Sequence, residues 1–65
     1  MAKMLNENEV AAMLSLAPET LRAWRVRGKG PPFAKLGEAI RYDEEDVKAW
    51  VEARKVSPES KAATP

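Results

Sequence analysis

Apolar residues recur with a helical period near the start of the chain. Val10, Met13 and Leu14 stand at i, i+3 and i+4, which predicts a first helix that ends near Leu14. Asn6 and Glu9 have the spacing of a capping box, so the helix is expected to begin just after Asn6. A helix this short is unstable alone and must pack against a neighbour.

A second helix is predicted over residues 18–27. Pro18 suits its first position and Gly28 suits the residue just past its end. Leu21 and Trp24, three residues apart, give it one buried face. Only residues 15–17 separate the two helices, and two short helices joined by so tight a connection are typical of a helix-turn-helix.

A β-hairpin is predicted after the Gly-Pro-Pro sequence that follows the second helix. Its strands are expected at 33–36 and 40–42, joined by a loop of three residues at 37–39. This register places Lys35 and Arg41 on the outer face of the hairpin. The predicted inner face consists of Ala34, Leu36, Ile40 and Tyr42.

A third helix is predicted after Asp43, which suits its N-cap and precedes a helical repeat of apolar residues. The chain is thus expected to be a single, mainly α domain with a small β-hairpin, in the order helix, turn, helix, hairpin, helix, over residues 6–55. Residues 1–5 are predicted to be a flexible N-terminus, and 56–65, polar and without a period, a disordered tail. The predicted core consists of Val10, Met13, Leu14, Leu16, Leu21, Trp24, Ile40, Tyr42, Val47, Trp50 and Val51.

The amino-acid composition excludes several kinds of catalytic and metal-binding site. The 65 residues include no cysteine and no histidine, which removes disulfides, cysteine nucleophiles and the usual zinc ligands and general base. The acidic run at 43–46 fits the first turn of a helix, where it complements the dipole. We therefore predict no enzymatic activity and no cofactor or metal. No membrane span or signal peptide is recognisable, and a cytoplasmic location is expected.

Charge is divided along the chain. Residues 22–41 contain six basic residues and one acidic residue, a net charge of +5. Residues 43–54 contain five acidic and two basic residues, a net charge of −3. The basic half predicts a polyanionic partner, and beside a helix-turn-helix pattern that partner is double-stranded DNA. The plainer alternatives are that the arginines only solvate a helix and that the hairpin charges only protect a strand edge.

The outward face of the second helix is expected to meet base edges. Glu19 can accept a hydrogen bond from cytosine, and Arg22 can donate two to guanine. Lys35 and Arg41 on the hairpin are expected to meet phosphates.

Several motifs resemble those of a known family. Glu-Val-Ala-Ala-Met-Leu at 9–14 and Pro-Glu-Thr-Leu-Arg-Ala-Trp at 18–24 resemble the helix-turn-helix of the MerR-like superfamily. Gly-Pro-Pro-Phe-Ala-Lys-Leu-Gly at 30–37, Ile-Arg-Tyr at 40–42 and Asp-Val-Lys-Ala-Trp at 46–50 resemble its AlpA-type and phage excisionase branch. The chain departs from that pattern at Ala23, where lambda-type excisionase has a basic residue, and at Ser15 and Ala17, where Gly and Ser are usual.

The resemblance implies a winged helix-turn-helix fold over residues 6–55. In that fold helix 18–27 inserts in the major groove, and wing 33–42 lies on the minor groove or backbone. It implies sequence-specific DNA binding of excisionase type, with further copies of the chain and an integrase as possible partners. An AlpA-like prophage transcriptional regulator and a protein-docking adaptor for an integrase or terminase remain alternatives. The base-reading positions would be Glu19, Thr20, Arg22 and Ala23, and the phosphate or wing positions Arg25, Arg27, Lys29, Lys35, Gly37 and Arg41.

Overall fold

Three helices and a small antiparallel sheet make up residues 3–56, the part of the chain that the computed structural model describes. The sheet has the strand order β1-β3-β2. This is the predicted winged helix-turn-helix fold, with α1 and α2 as the helix-turn-helix and β2–β3 as the wing. In chain order the elements are β1 (Met4–Leu5), α1 (Glu7–Leu14), α2 (Pro18–Val26), β2 (Ala34–Leu36), β3 (Ala39–Asp43) and α3 (Glu44–Arg54).

The capping box predicted for α1 is present. The Asn6 side chain accepts a hydrogen bond from the Glu9 N–H at 2.8 Å, and the Glu9 carboxylate accepts one from the Asn6 N–H at the same distance. The helix ends at Ser15, which adopts the left-handed conformation with φ 57°. Its N–H donates back to the Ala12 carbonyl at 3.2 Å, so the left-handed residue closes the turn into α2.

We expect Ser15→Gly to stabilise the domain. A residue with a Cβ is strained in the left-handed region by about 1–2 kcal/mol, and glycine relieves this at a smaller cost in unfolded-chain entropy. The expected net gain is about 0.5–1 kcal/mol, seen as a rise of several degrees in the thermal unfolding midpoint. Ser15→Ala keeps the strain and serves as the control. Equal midpoints for the glycine and alanine variants would contradict the prediction.

The hydrophobic core differs from the predicted one at its margins. Met13 and Leu16 are 42% and 37% exposed, so their predicted burial is wrong. The buried stripe of α1 is formed by Val10 and Ala11, which turns Met13 towards the surface. Trp50 and Val51 are only half-buried. The buried core consists of Leu5, Val10, Ala11, Leu21, Tyr42 and Val47, with Leu14, Trp24 and Ile40 packed against it.

The N-terminal residues form a strand. Met4 pairs with Asp43, and Leu5 pairs with Tyr42 and is 5% exposed. The prediction of a flexible segment at 1–5 is therefore wrong for its last two residues. β3 is the central strand of the sheet, so it has a second edge available for pairing, and its last two residues pair there with β1. The predicted tail lies outside the described residues from position 57 onwards.

The hairpin loop has two residues, Gly37 and Glu38, and the predicted loop of three is wrong. Gly37 has φ 66°, which suits glycine at the first central position of a tight hairpin turn. The shorter loop pairs Lys35 with Ile40 and Leu36 with Ala39. It therefore shifts the whole register of β2 by one residue relative to the prediction.

This shift changes which hairpin residues share a face. Residues paired across an antiparallel ladder lie on the same side, and neighbours along a strand alternate. Lys35 accordingly shares the face of Ile40 and the buried Tyr42, whereas Leu36 lies on the opposite face with Arg41. The predicted common outer face of Lys35 and Arg41 is wrong.

Candidate nucleic-acid interface

Helix α2 is fixed to the body through its inner face. Leu21 is fully buried and anchors the helix. The backbone of Arg27 caps the C-terminus, and Gly28 follows with φ 69°, so the helix is one residue shorter than predicted. The N-cap, Ala17, makes no side-chain hydrogen bond, because alanine has no side-chain acceptor.

The outward face of α2 carries the predicted base-reading positions. Glu19 and Arg22 are exposed, and 61% of the Arg22 side chain is accessible. Thr20 and Ala23 are half-buried on the same helix. Val26, one turn beyond Arg22, is 84% exposed and adds an apolar position to this surface. The contacts of these residues with bases stay a prediction.

An acidic residue that the sequence did not single out lies behind this face. Glu7, in the first turn of α1, bridges two arginines of α2. Its Oε2 is 2.8 Å from Arg22 Nη2, and its Oε1 is 2.7 Å from Arg25 Nη1. The Glu7 side chain is 17% exposed, so one largely buried carboxylate ties α2 to α1 through two ion pairs.

Arg25 is directed inward, at the junction of the helices and the wing. Its side chain is 16% exposed, its Nη1 donates to the Tyr42 hydroxyl at 2.9 Å, and its guanidinium lies 5.8 Å from the Phe33 ring centroid. Together with the ion pair to Glu7, these contacts give Arg25 a structural role, which the sequence did not predict. The phosphate contact itself stays a prediction.

The ion pairs shift two pKa values. Burial raises the pKa of Glu7, but the hydrogen bonds and charges of Arg25 and Arg22 outweigh it and hold the pKa below its ordinary value of 4.5. Burial lowers the pKa of Arg25, but its hydrogen bonds to Tyr42 and Glu7 raise it overall. Both groups therefore remain charged at neutral pH.

We expect Glu7 to make the stability of the domain sensitive to acid. A carboxyl whose pKa is lower in the folded state stabilises the protein above its unfolded pKa and loses that contribution as pH falls through the folded pKa. Thermal unfolding should show parent protein more stable than Glu7→Gln at pH 7, with the gap closing below about pH 4.5. A gap that is equal at pH 7 and pH 3 would contradict this assignment.

The other predicted phosphate contacts lie on the turn after α2 and on the wing. Arg27, Lys29 and Lys35 are exposed. Arg41 is half-buried, and its Nη1 donates to the Ile40 carbonyl at 2.8 Å. Gly37 occupies the wing turn, where an added Cβ would meet no atom within 4 Å. Lys35 and Arg41 thus lie on opposite faces of the hairpin, and their contacts with phosphates stay a prediction.

Two tryptophans support the turn between α2 and the wing. The rings of Trp24 and Trp50 lie 5.5 Å apart between centroids, and the Arg54 guanidinium covers Trp50 at 4.2 Å. Gly30 packs on Trp24, because a Cβ built there would lie 3.0 Å from its Cε3 atom. The pair thus fixes the backbone from which Lys29 projects.

We expect Gly30→Ala to destabilise the domain by about 1–3 kcal/mol. Gly30 has φ 88°, which strains a residue with a Cβ, and the added methyl group would lie 3.0 Å from the Trp24 ring, which would have to shift. Gly28→Ala is the matched control, because its φ of 69° imposes strain while nothing lies within 4 Å of the added atom. Thermal unfolding should therefore rank Gly30→Ala below Gly28→Ala. The reverse order would show that the Trp24 contact is unimportant.

None of the helices between residues 3 and 56 has the length and apolar character needed to cross a membrane.

The helix-turn-helix, the exposed face of α2 and the basic wing define a winged helix-turn-helix domain, a class that binds DNA. The chain belongs to a helix-turn-helix domain family, whose model matches residues 4–55 and so includes all six elements of the fold. This family is typically non-enzymatic. No curated protein matches the chain.

Proposed function

We propose that the chain is a sequence-specific double-stranded DNA-binding protein of excisionase type. Helix α2 would lie in the major groove, and the wing on the adjacent minor groove or backbone. The observation that carries the proposal is the outward face of α2, where Glu19, Arg22 and Val26 are exposed together on a helix anchored from behind by Leu21. A helix held in this way can enter the groove without rearrangement of the core.

The exposed side chains suit different parts of the duplex. Arg22 would donate to guanine O6 and N7, and Glu19 would accept from cytosine N4. Val26 would contact a thymine methyl group. Thr20 and Ala23 would complete the reading surface.

Phosphates would be bound beside that surface. Arg27, Lys29 and Lys35 offer exposed positive charge, and each phosphate neutralised releases a counterion. Arg25 and Arg41 are less accessible and would contribute less. Gly37 would let the wing turn approach the backbone closely, because no side chain projects from it.

The same interface would serve an AlpA-like prophage transcriptional regulator, which differs in where its site lies and not in how it binds. Both readings place the protein on DNA in the bacterial cytoplasm, with further copies on adjacent sites and an integrase as proposed partners. A protein-docking adaptor for an integrase or terminase belongs to another class. If the chain binds such a protein at high salt, and equally well with and without DNA, the adaptor function is favoured.

Selection from a library of randomised duplexes tests the proposal. The parent protein should enrich one short motif, hereafter the selected duplex, and bind it more tightly than a scrambled duplex of the same composition. Affinity for both should fall as salt rises. Failure to enrich any motif would overturn sequence-specific binding. A footprint on DNA flanking the gene would then separate the two roles, since a regulator should protect a promoter and an excisionase a recombination site.

A further inference from the structure

We propose that Glu7 is a positioning residue for DNA recognition: its carboxylate holds the Arg22 guanidinium in the orientation that reads a base. The inference rests on the proposed function and extends it to a residue outside the interface. Glu7 belongs to α1, and it acts on DNA only through Arg22.

The geometry that supports this role is a continuous set of contacts from the core to the exposed face of α2. Tyr42 is 1% exposed, and its hydroxyl accepts from Arg25 Nη1 at 2.9 Å. The same guanidinium lies 2.7 Å from Glu7 Oε1, which holds one oxygen of the carboxylate on the inner side. The second oxygen, Oε2, accepts from Arg22 Nη2 at 2.8 Å. Each group is thus oriented by the group behind it, starting from a fully buried ring.

Arg22 is the one member of this set that is accessible to DNA. Its side chain is 61% exposed, against 16% for Arg25 and 17% for Glu7. One N–H of its Nη2 is used by Glu7, and the remaining donors of the planar guanidinium stay free for a guanine. A free arginine side chain would lose considerable rotamer entropy on binding a base, and a guanidinium already held in place loses less.

Glu7 also decides how strongly Arg22 attracts DNA of any sequence. A carboxylate beside a guanidinium offsets its charge, which weakens a contact with phosphate in any sequence. A base contact depends on the direction of the donors as well as on charge, and it keeps the benefit of orientation. Glu7 should therefore favour the specific complex and disfavour the non-specific one, two effects that a merely structural residue would not produce together.

The test compares Glu7→Gln with Glu52→Gln, which removes the same charge from α3, where Glu52 is paired with Lys55. Fluorescence anisotropy measures the affinity of each variant for the selected duplex and for the scrambled duplex. We expect Glu7→Gln to lower the ratio of the two affinities about tenfold, with tighter binding to the scrambled duplex. Glu52→Gln should leave the ratio unchanged.

A double-mutant cycle identifies Arg22 as the residue through which Glu7 acts. In an Arg22→Ala background, Glu7→Gln should leave the affinity ratio unchanged, because the guanidinium that it orients is gone. A tenfold loss that persists in that background would overturn the inference. So would a Glu7→Gln single variant that discriminates as well as the parent.

Tyr42→Phe keeps the test decisive if Glu7→Gln does not fold. It removes only the hydroxyl that holds Arg25, and we expect it to lower the affinity ratio about threefold. An unchanged ratio in folded Tyr42→Phe would overturn the inference in that case. A parent protein that does not distinguish the two duplexes would instead refute the proposed function itself, so the two failures are separable.

Discussion

Leu21→Ala is expected to unfold the domain, with loss of DNA binding as a consequence. Leu21 is 0% exposed and is the one residue of α2 that is fully buried. Truncating a buried leucine costs about 2–5 kcal/mol. A domain of this size is stabilised by roughly 0.05–0.15 kcal/mol per residue, so the loss is comparable with its whole free energy of unfolding. Thermal unfolding followed by circular dichroism measures the effect.

Val26→Ala is the matched control for that variant, since it shortens an apolar side chain on the same helix that is 84% exposed. It should melt with the parent. A Leu21→Ala variant that melts within a few degrees of the parent would show that α2 is held by other contacts.

The second large effect is expected on DNA. Arg22→Ala should weaken binding to the selected duplex by about 1–3 kcal/mol, because a bidentate guanine contact is lost, and should relax the preference at one or two base pairs. Its affinity for the scrambled duplex should change much less. Anisotropy titrations on both duplexes give the two values. Equal losses of affinity for the two duplexes would show that Arg22 makes only a general electrostatic contact with DNA.

Lys35→Ala is the control for that result, because it removes one exposed positive charge from the wing. It should weaken binding to both duplexes alike and reduce the slope of log affinity against log salt by about one. Arg41→Ala should have a smaller effect, because Arg41 is half-buried on the other hairpin face. If Lys35→Ala binds both duplexes as tightly as the parent, the charge of Lys35 protects the strand edge from pairing and does not contact DNA.

The helices could be predicted because their signals are local. Asn6 and Glu9 determine where α1 begins, and Pro18 and Gly28 bracket α2. Each of these residues acts on the backbone within one turn of its own position, so that a sequence pattern alone reports it. The ends of these helices can therefore be predicted without knowledge of the tertiary packing.

The sheet could not be predicted with the same precision. Gly37 permits a tight turn of two residues, but glycine is also common in loops of three residues. The length of the loop determines the register of the two strands. Met4 and Leu5 are too few to show an alternating pattern, and their partner strand, β3, lies far along the chain. The first error concerns the length of a local turn, and the second concerns a contact between segments distant in the chain.

The exposure of two candidate site residues could be predicted from the sequence, and their contacts with bases stay a prediction. Glu19 and Arg22 follow from the helical period of α2, which places them opposite Leu21. The role of Glu7 could not be predicted in this way, because an acidic residue in the first turn of a helix is expected from the helix dipole alone. Its partners lie 15 and 18 positions away, and no periodicity connects residues across a turn.

Methylation interference at guanine N7 shows whether α2 reads bases in the major groove through Arg22. N7 lies in the major groove and is one of the two acceptors of an arginine. Methylation of one or two guanines in the selected duplex should prevent binding of the parent, and binding of Arg22→Ala should be insensitive to methylation at one of them. The same interference pattern for both proteins, or none for the parent, would contradict the account.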